Sequence, residues 1–196
     1  MSIEVRPATA DRWDDLVAVF GRRGDDPAWD WCQLFLRSNP PSAMHPELPP
    51  DNRGALHREI TEAVAPPGLI AYVDGRPVGW TRVGPRRAFP GVRGNRALAK
   101  VLSDDDAGIW WVTCFAVDSQ HRRSGVGAAL LRAAVAFARD HGATALEGHP
   151  VDVAGLKTST VAGSAIYTGT MAMFVAAGFV EVGRTYRTRP VMRLSV

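Results

Sequence analysis

The sequence predicts an α/β or α+β domain built around a mixed sheet, and three observations carry that expectation. Glycine and proline cut the chain into short apolar runs. The apolar period shifts from helical to strand-like at Gly68. One run, Ile109 to Val117 (IWWVTCFAV), is apolar almost throughout, as a central strand covered on both faces requires.

Taken in order, Ile3 to Arg6 reads as a short strand and Asp11 to Phe20 as an amphipathic helix with Trp13, Leu16, Val17 and Phe20 on its apolar face. Gly24 breaks the chain. A second helix is expected over Trp29 to Arg37, stopped by Asn39-Pro40-Pro41, and a third over Asn52 to Val64, stopped by Pro66-Pro67, with a proline-rich loop between them. Leu69 to Val73 and Pro77 to Val83 are β-rich runs joined by Asp74-Gly75, a dipeptide that supplies the positive φ of a tight hairpin. Gly84 to Gly108 is an irregular charged insertion with a helix expected at Asn95 to Leu102. After the apolar strand, a long helix runs from Gly125 to His141, with Val126, Leu130, Ala134, Phe137 and Ala138 on one face and Gly142 as its stop. Ala145 to Pro150 is a strand, Thr170 to Ala177 a short helix closed by Gly178, and Phe179 to Arg184 and Val191 to Leu194 are the last strands. No repeat interrupts this order.

At 196 residues the chain is one domain of ordinary size, expected to span 1–196 and able to bury a core. With 46% apolar residues, 22% charged residues and a mean hydropathy of -0.08, its composition is that of a folded soluble protein rather than a disordered or fibrous one. The longest apolar run falls well short of the roughly 18 to 20 residues that span a bilayer, so no membrane partner is expected. The opening MSIEVRPATADRWDDL carries charges where a signal peptide needs an apolar core, so the expected location is cytoplasmic. Cys32 and Cys114 are too few for a disulfide framework and lack metal-ligand spacing with the histidines; reduced thiols and no metal are expected. The net charge of +3 rests on dispersed arginines without a dense block. Guanidinium suits phosphate, but without a recognition motif or an exposed aromatic-basic platform, no nucleic-acid partner is expected.

The segment that carries chemistry is 110–131, WWVTCFAVDSQHRRSGVGAALL. A buried strand ends near Asp118, a short basic loop follows, and Gly125-Val126-Gly127 opens a helix. Unpaired amides and the positive end of the helix dipole make that start an anion site suited to a pyrophosphate. The glycines let the backbone come close, and Arg122 and Arg123 add charge at the entrance. A Rossmann fingerprint or a P-loop would need residues that are absent.

Strand, then Arg122-Arg123-Ser124-Gly125-Val126-Gly127, then an amphipathic helix, a strand and a short helix ending Ala177-Gly178-Phe179: this order resembles the GNAT superfamily of acyl-CoA-dependent N-acyltransferases over roughly residues 69–194. The resemblance implies a mixed, mostly antiparallel sheet of about six or seven strands flanked by helices. It implies acetyl-CoA as co-substrate, with an acyl-CoA-binding core over about 109–184 and acceptor recognition over about 10–108. It further implies that backbone groups of Phe115, Ala116 and Val117 pair with the pantetheine arm like an added strand, while Arg122, Arg123, Ser124, Gly125, Val126, Gly127 and Ala128 hold the pyrophosphate. Many members place a tyrosine four residues before the Gly-Phe pair as proton donor to the departing thiolate; here that position is Phe174.

An amine nucleophile must lose a proton before it attacks. Strand alternation puts Ala145, Glu147 and His149 on one face, and the resemblance implies that strands 109–117 and 145–150 splay apart where the thioester lies, so Glu147 is the candidate base, with a structural pairing to an arginine as the alternative. His149 at the strand end is a weaker candidate. Tyr167, seven residues before Phe174, would lie two helical turns or ~10 Å away and is the candidate acid. Cys114 reads as a buried inert thiol, and most of the six tryptophans as core. The expected function is direct transfer of an acetyl group from acetyl-CoA to a primary amine on a small molecule or peptide, in a chain that could form a homodimer. The alternative is a non-catalytic acyl-CoA-binding module, which Phe174 suggests.

Overall fold

A computed structural model describes residues 2–21, 25–37, 51–156 and 165–196. Seven strands form one sheet: β1 (Ile3–Pro7), β2 (Gly68–Val73), β3 (Arg76–Pro85), β4 (Ile109–Val117), β5 (Ala145–Gly148), β6 (Val180–Tyr186) and β7 (Arg189–Ser195), in the spatial order β1-β2-β3-β4-β5-β7-β6. All neighbours are antiparallel except β4 and β5. That parallel pair requires a crossover, which the long helix α4 supplies. The hairpin between β2 and β3 turns on Asp74 and Gly75, both at positive φ (47° and 82°), the conformation whose twist matches the flanking strands.

The helices are α1 (Trp13–Phe20), α2 (Asn52–Glu62), α3 (Pro90–Arg93), α4 (Val126–Asp140) and α5 (Met171–Ala176). Asp51 caps α2 by accepting from the Gly54 amide, and Thr170 caps α5 by accepting from the Met173 amide. One face of the sheet carries α4 and α5 over a core of Leu69, Val78, Val112, Leu130, Leu146 and Phe174. The opposite face packs Leu16, Trp31, Leu56, Ile70, Trp80 and Cys114. Helix α4 lies close on β3 because Gly79 has no side chain: a Cβ there would sit 2.8 Å from Val126 Cγ1. The insertion buries Phe89, Val92 and Leu98 against Trp111 and Val191.

Two expected helices do not form. Over Trp29 to Arg37 the chain turns and makes only a 3-10 turn, Leu34–Leu36. Trp31 and Cys32 adopt positive φ (42° and 56°), which ends any helix, and the buried Trp31 indole donates to the Asp26 carbonyl at 3.0 Å. Burying one large indole outweighed the local helical pattern. Over Asn95 to Leu102 only Leu98–Lys100 forms a 3-10 turn, while the preceding α3 opens on Pro90, whose fixed φ suits a first helical position. The expected break at Gly24, the stop at Asn39-Pro40-Pro41 and most of the proline-rich loop lie outside the described residues. Among the described residues, no helix is long and apolar enough to cross a membrane.

Candidate active site

The central feature is the separation of β4 from β5. The two pair from Ile109–Ala145 to Val112–Gly148 and no further, although β4 runs on to Val117. Beyond β5 the chain bonds elsewhere: the Val151 amide donates to the Gly169 carbonyl at 3.0 Å, and the Met171 amide to the Val151 carbonyl at 2.8 Å. At the point of separation β4 carries a bulge. Trp80 faces Ala116 and Arg82 faces Thr113, so Cys114 and Phe115 together oppose Thr81, and Cys114 sits at φ 58°.

Past the bulge, the backbone direction is fixed by its bonds. The Asp118 amide donates to the Val78 carbonyl on β3, so Ala116, two residues earlier, also faces β3. Phe115 and Val117 face the open edge. The Phe115 amide there donates to the Tyr167 carbonyl at 2.6 Å, and the Val117 carbonyl accepts from Arg122 Nε at 3.4 Å. Of the three residues expected to offer backbone groups to a pantetheine arm, Phe115 and Val117 present that edge, and Ala116 is turned to β3.

At the far end of this edge lies the expected anion site. Asp118 caps the short turn Ser119–His121, and the chain then passes through Arg123 (φ 61°) and Gly125 (φ 91°) into α4. The first helical bond runs from the Ala129 amide to the Gly125 carbonyl, so the amides of Gly125, Val126, Gly127 and Ala128 have no intrahelical acceptor. Arg122 and Arg123 are exposed beside them, and Ser124 Oγ donates to the His121 carbonyl at 2.6 Å, pinning the loop. The space over Gly125 is open, since an added Cβ would meet only Ile3 Cδ1 at 3.8 Å. Amides without helical acceptors and the positive end of the α4 dipole, with two exposed arginines next to them in the chain, are the elements that a pyrophosphate calls for.

Glu147 is wholly buried, and both its oxygens are taken. Arg86 Nη1 donates to Oε2 at 2.7 Å, and Arg193, directly opposite across β5 and β7, donates to Oε1 from Nε at 2.8 Å. Arg86, equally buried, also bonds Asp106 and the carbonyls of Ser103 and Asp105, which ties the insertion to the sheet. A base role for Glu147 therefore requires that one guanidinium release it.

Phe174 is buried with its ring over Gly148, where a Cβ would come within 2.5 Å of Cε1. Tyr167 precedes α5 rather than continuing it, and packs on the opposite side of the sheet near Phe35 and Cys114. The two-turn helical spacing expected between Tyr167 and Phe174 is absent because α5 begins at Met171. Burial raises the pKa of the Tyr167 hydroxyl, with Cys114, Asp30 and Cys32 adding to it, so it stays protonated at neutral pH. The Cys114 thiol is pushed well up by its hydrogen bond with Cys32 and by burial, which keeps it inert.

His149 is held as a neutral ring. Thr185 Oγ1 donates to the Arg189 carbonyl and so accepts from His149 Nε2 at 2.7 Å, while Nδ1 accepts from Arg189 Nη2 at 3.3 Å. Burial, aided by the Arg189 charge, lowers its pKa to about 4. With neither nitrogen free to take a proton, His149 positions Arg189 instead.

Sequence reasoning did not single out Asp30 or Arg189. Asp30 places a carboxylate oxygen within 4.8 Å of the Cys32 and Cys114 sulfurs, and burial raises its pKa. It sat inside a stretch read as helix, and Arg189 was one arginine among many.

Residues 28–154 match the model of the Acetyltransferase (GNAT) family. No curated protein sequence matches the chain. Among solved structures the fold is shared with a GCN5-related N-acetyltransferase from Kribbella flavida (18% identity, 99% of this chain and 98% of that one, TM-score 0.55). It is also shared with a ribosomal-protein-alanine N-acetyltransferase from Brucella melitensis (20%, 98% and 99%, 0.54). A third is the PaiA N-acetyltransferase of Thermoplasma acidophilum in complex with coenzyme A (14%, 100% of both chains, 0.53).

Proposed function

Because the chain belongs to the GNAT acetyltransferase family, we propose that it moves an acetyl group from acetyl-CoA directly to a primary amine, without a covalent enzyme intermediate. The observation that carries this reading is the open edge of β4 leading from the Cys114 bulge to the unpaired amides at Gly125. Acetyl-CoA as substrate supplies an activated acetyl thioester. The amides of Gly125 to Ala128, with Arg122 and Arg123, hold its pyrophosphate. Phe115 and Val117 offer the edge to its pantetheine arm, which takes the place of the Tyr167 carbonyl on the Phe115 amide.

Two proton movements remain for the chain. The amine arrives as ammonium and must be deprotonated. Glu147 serves as that base if acceptor binding frees one of its oxygens; Asp30, whose Oδ1 accepts from the Leu34 amide at 3.0 Å and whose pKa burial raises, is a second candidate. Tyr167, protonated and beside the bulge, is the candidate donor to the departing thiolate. Residues 1–196 act in this reading as a single domain, with the acceptor side formed by the first half of the chain.

The deciding experiment is release of free CoA from acetyl-CoA in the presence of a panel of primary amines. Amine-dependent release supports transfer. Tight CoA binding with no release to any amine favours the non-catalytic acyl-CoA-binding module, a reading that the missing hydroxyl at Phe174 keeps open.

A further inference from the structure

Arg189 opens β7 with a half-buried guanidinium and no carboxylate partner among the described residues. A guanidinium has five N–H donors. Two of the donors here go to neutral acceptors, Thr168 Oγ1 at 3.1 Å and His149 Nδ1 at 3.3 Å. The other buried arginines are treated differently: Arg82 is clamped by both oxygens of Glu59, and Arg86 by Glu147 and Asp106. Burial lowers the Arg189 pKa, and two bonds to neutral acceptors offset only part of that desolvation cost.

The position of this cation is informative. Thr168, which it holds, follows Tyr167, whose carbonyl accepts from the Phe115 amide at the β4 bulge. Asp30 reaches the same bulge from the other side, its carboxylate oxygen within 4.8 Å of the Cys114 sulfur. The neutral His149 ring, locked by Thr185, aims the guanidinium while adding no charge of its own.

We propose that Arg189 is the carboxylate-reading group of the acceptor site, so that the acceptor is an amino acid: an amine that also carries a carboxylate, with Asp30 facing its ammonium end. A planar fork matches a carboxylate in two parallel bonds, and the substrate then supplies the counter-ion that the fold withholds. This inference rests on the acyltransferase reading above and specifies its substrate class.

The test pairs each acceptor with its neutral counterpart. α-Amino acids and ω-amino acids of increasing length are each compared with the corresponding amide, in wild-type protein with acetyl-CoA, by kcat/KM for CoA release. The expected result is a preference for acids over amides of about 100-fold in at least one pair, the scale of a lost charged hydrogen-bond pair. In Arg189→Gln that preference falls towards one, and Arg189→Lys restores part of it. The melting temperature of Arg189→Gln stays equal to wild type or rises, because an unpaired buried cation is removed. A purely structural arginine would show the reverse, a lowered melting point with acid and amide activities falling together. Transfer to amines with equal rates for acids and amides overturns the carboxylate site and leaves the acyltransferase reading intact. No transfer to any amine in wild type defeats that reading and this inference with it.

Discussion

Replacing Glu147 by Gln separates a structural carboxylate from a catalytic one. The substitution keeps shape but offers one carbonyl oxygen where the carboxylate offered two, so one of Arg86 and Arg193 meets an N–H donor instead of an acceptor. Breaking a buried ion pair by removing one partner costs about 3 to 5 kcal/mol. The low end applies, because Arg86 retains Asp106 and two backbone carbonyls, and Arg193, with a third of its side chain exposed, can turn to water. A loss of about 3 kcal/mol in a domain of this size lowers the melting temperature by about 6 to 12 °C. Arg193→Ala leaves the Arg86–Glu147 bond in place but strips the buried Glu147 Oε1 of its partner, and should cost about 1 to 3 kcal/mol. Thermal and urea melts of the three proteins, with kcat measured well below the lowest melting point, decide the matter. A melting point for Glu147→Gln within about 2 °C of wild type, together with a kcat about 100-fold lower, would refute the clamp and establish Glu147 as the base.

Other substitutions address the remaining groups. Gly125→Val places a β-branched residue at φ 91° in the anion site and should weaken CoA binding about tenfold or more; unchanged affinity by calorimetry in a folded variant places the pyrophosphate elsewhere. Tyr167→Phe should lower kcat about tenfold or more with CoA affinity intact, and an unaltered kcat would assign thiolate protonation to water. Phe174→Tyr buries a hydroxyl beside Gly148 and should destabilise by about 1 to 3 kcal/mol; a turnover gain below the thiol pKa, without that loss, would show that the hydroxyl reaches the cleft. His149 has a folded pKa of about 4 against an ordinary 6.5, so the unfolded chain takes up a proton first as pH falls. Its contribution to stability is whole above pH 6.5 and is lost on the way down to about pH 4, by about 3 kcal/mol in all. His149→Asn should flatten that part of the pH–stability curve, and an identical curve would mean that the ring titrates freely.

The features that the sequence by itself determined are local ones. Asp74-Gly75 permits few conformations other than a tight hairpin; the apolar stripe of α4 lies on one helical face; Gly125 tolerates positive φ at a helix start; and an apolar run from Ile109 to Val117 has to be covered on both sides. Each is fixed by steric or periodic constraints within a few residues, and together they suffice for the fold and for the expectation of an anion site. Tertiary structure alone decided which side chains meet. The bulge at Cys114 carries no glycine to announce it; it forms where β4 loses β5 as a neighbour. Trp31 abandoned a helical pattern because burying its indole against the sheet outweighed local preference. Glu147 found Arg193 through strand register and Arg86 through the folding back of the insertion. Asp30, Tyr167 and Arg189 come from opposite ends of the chain, and their charges become significant only in one another's company, since burial turns an ordinary arginine into a cation that wants a partner.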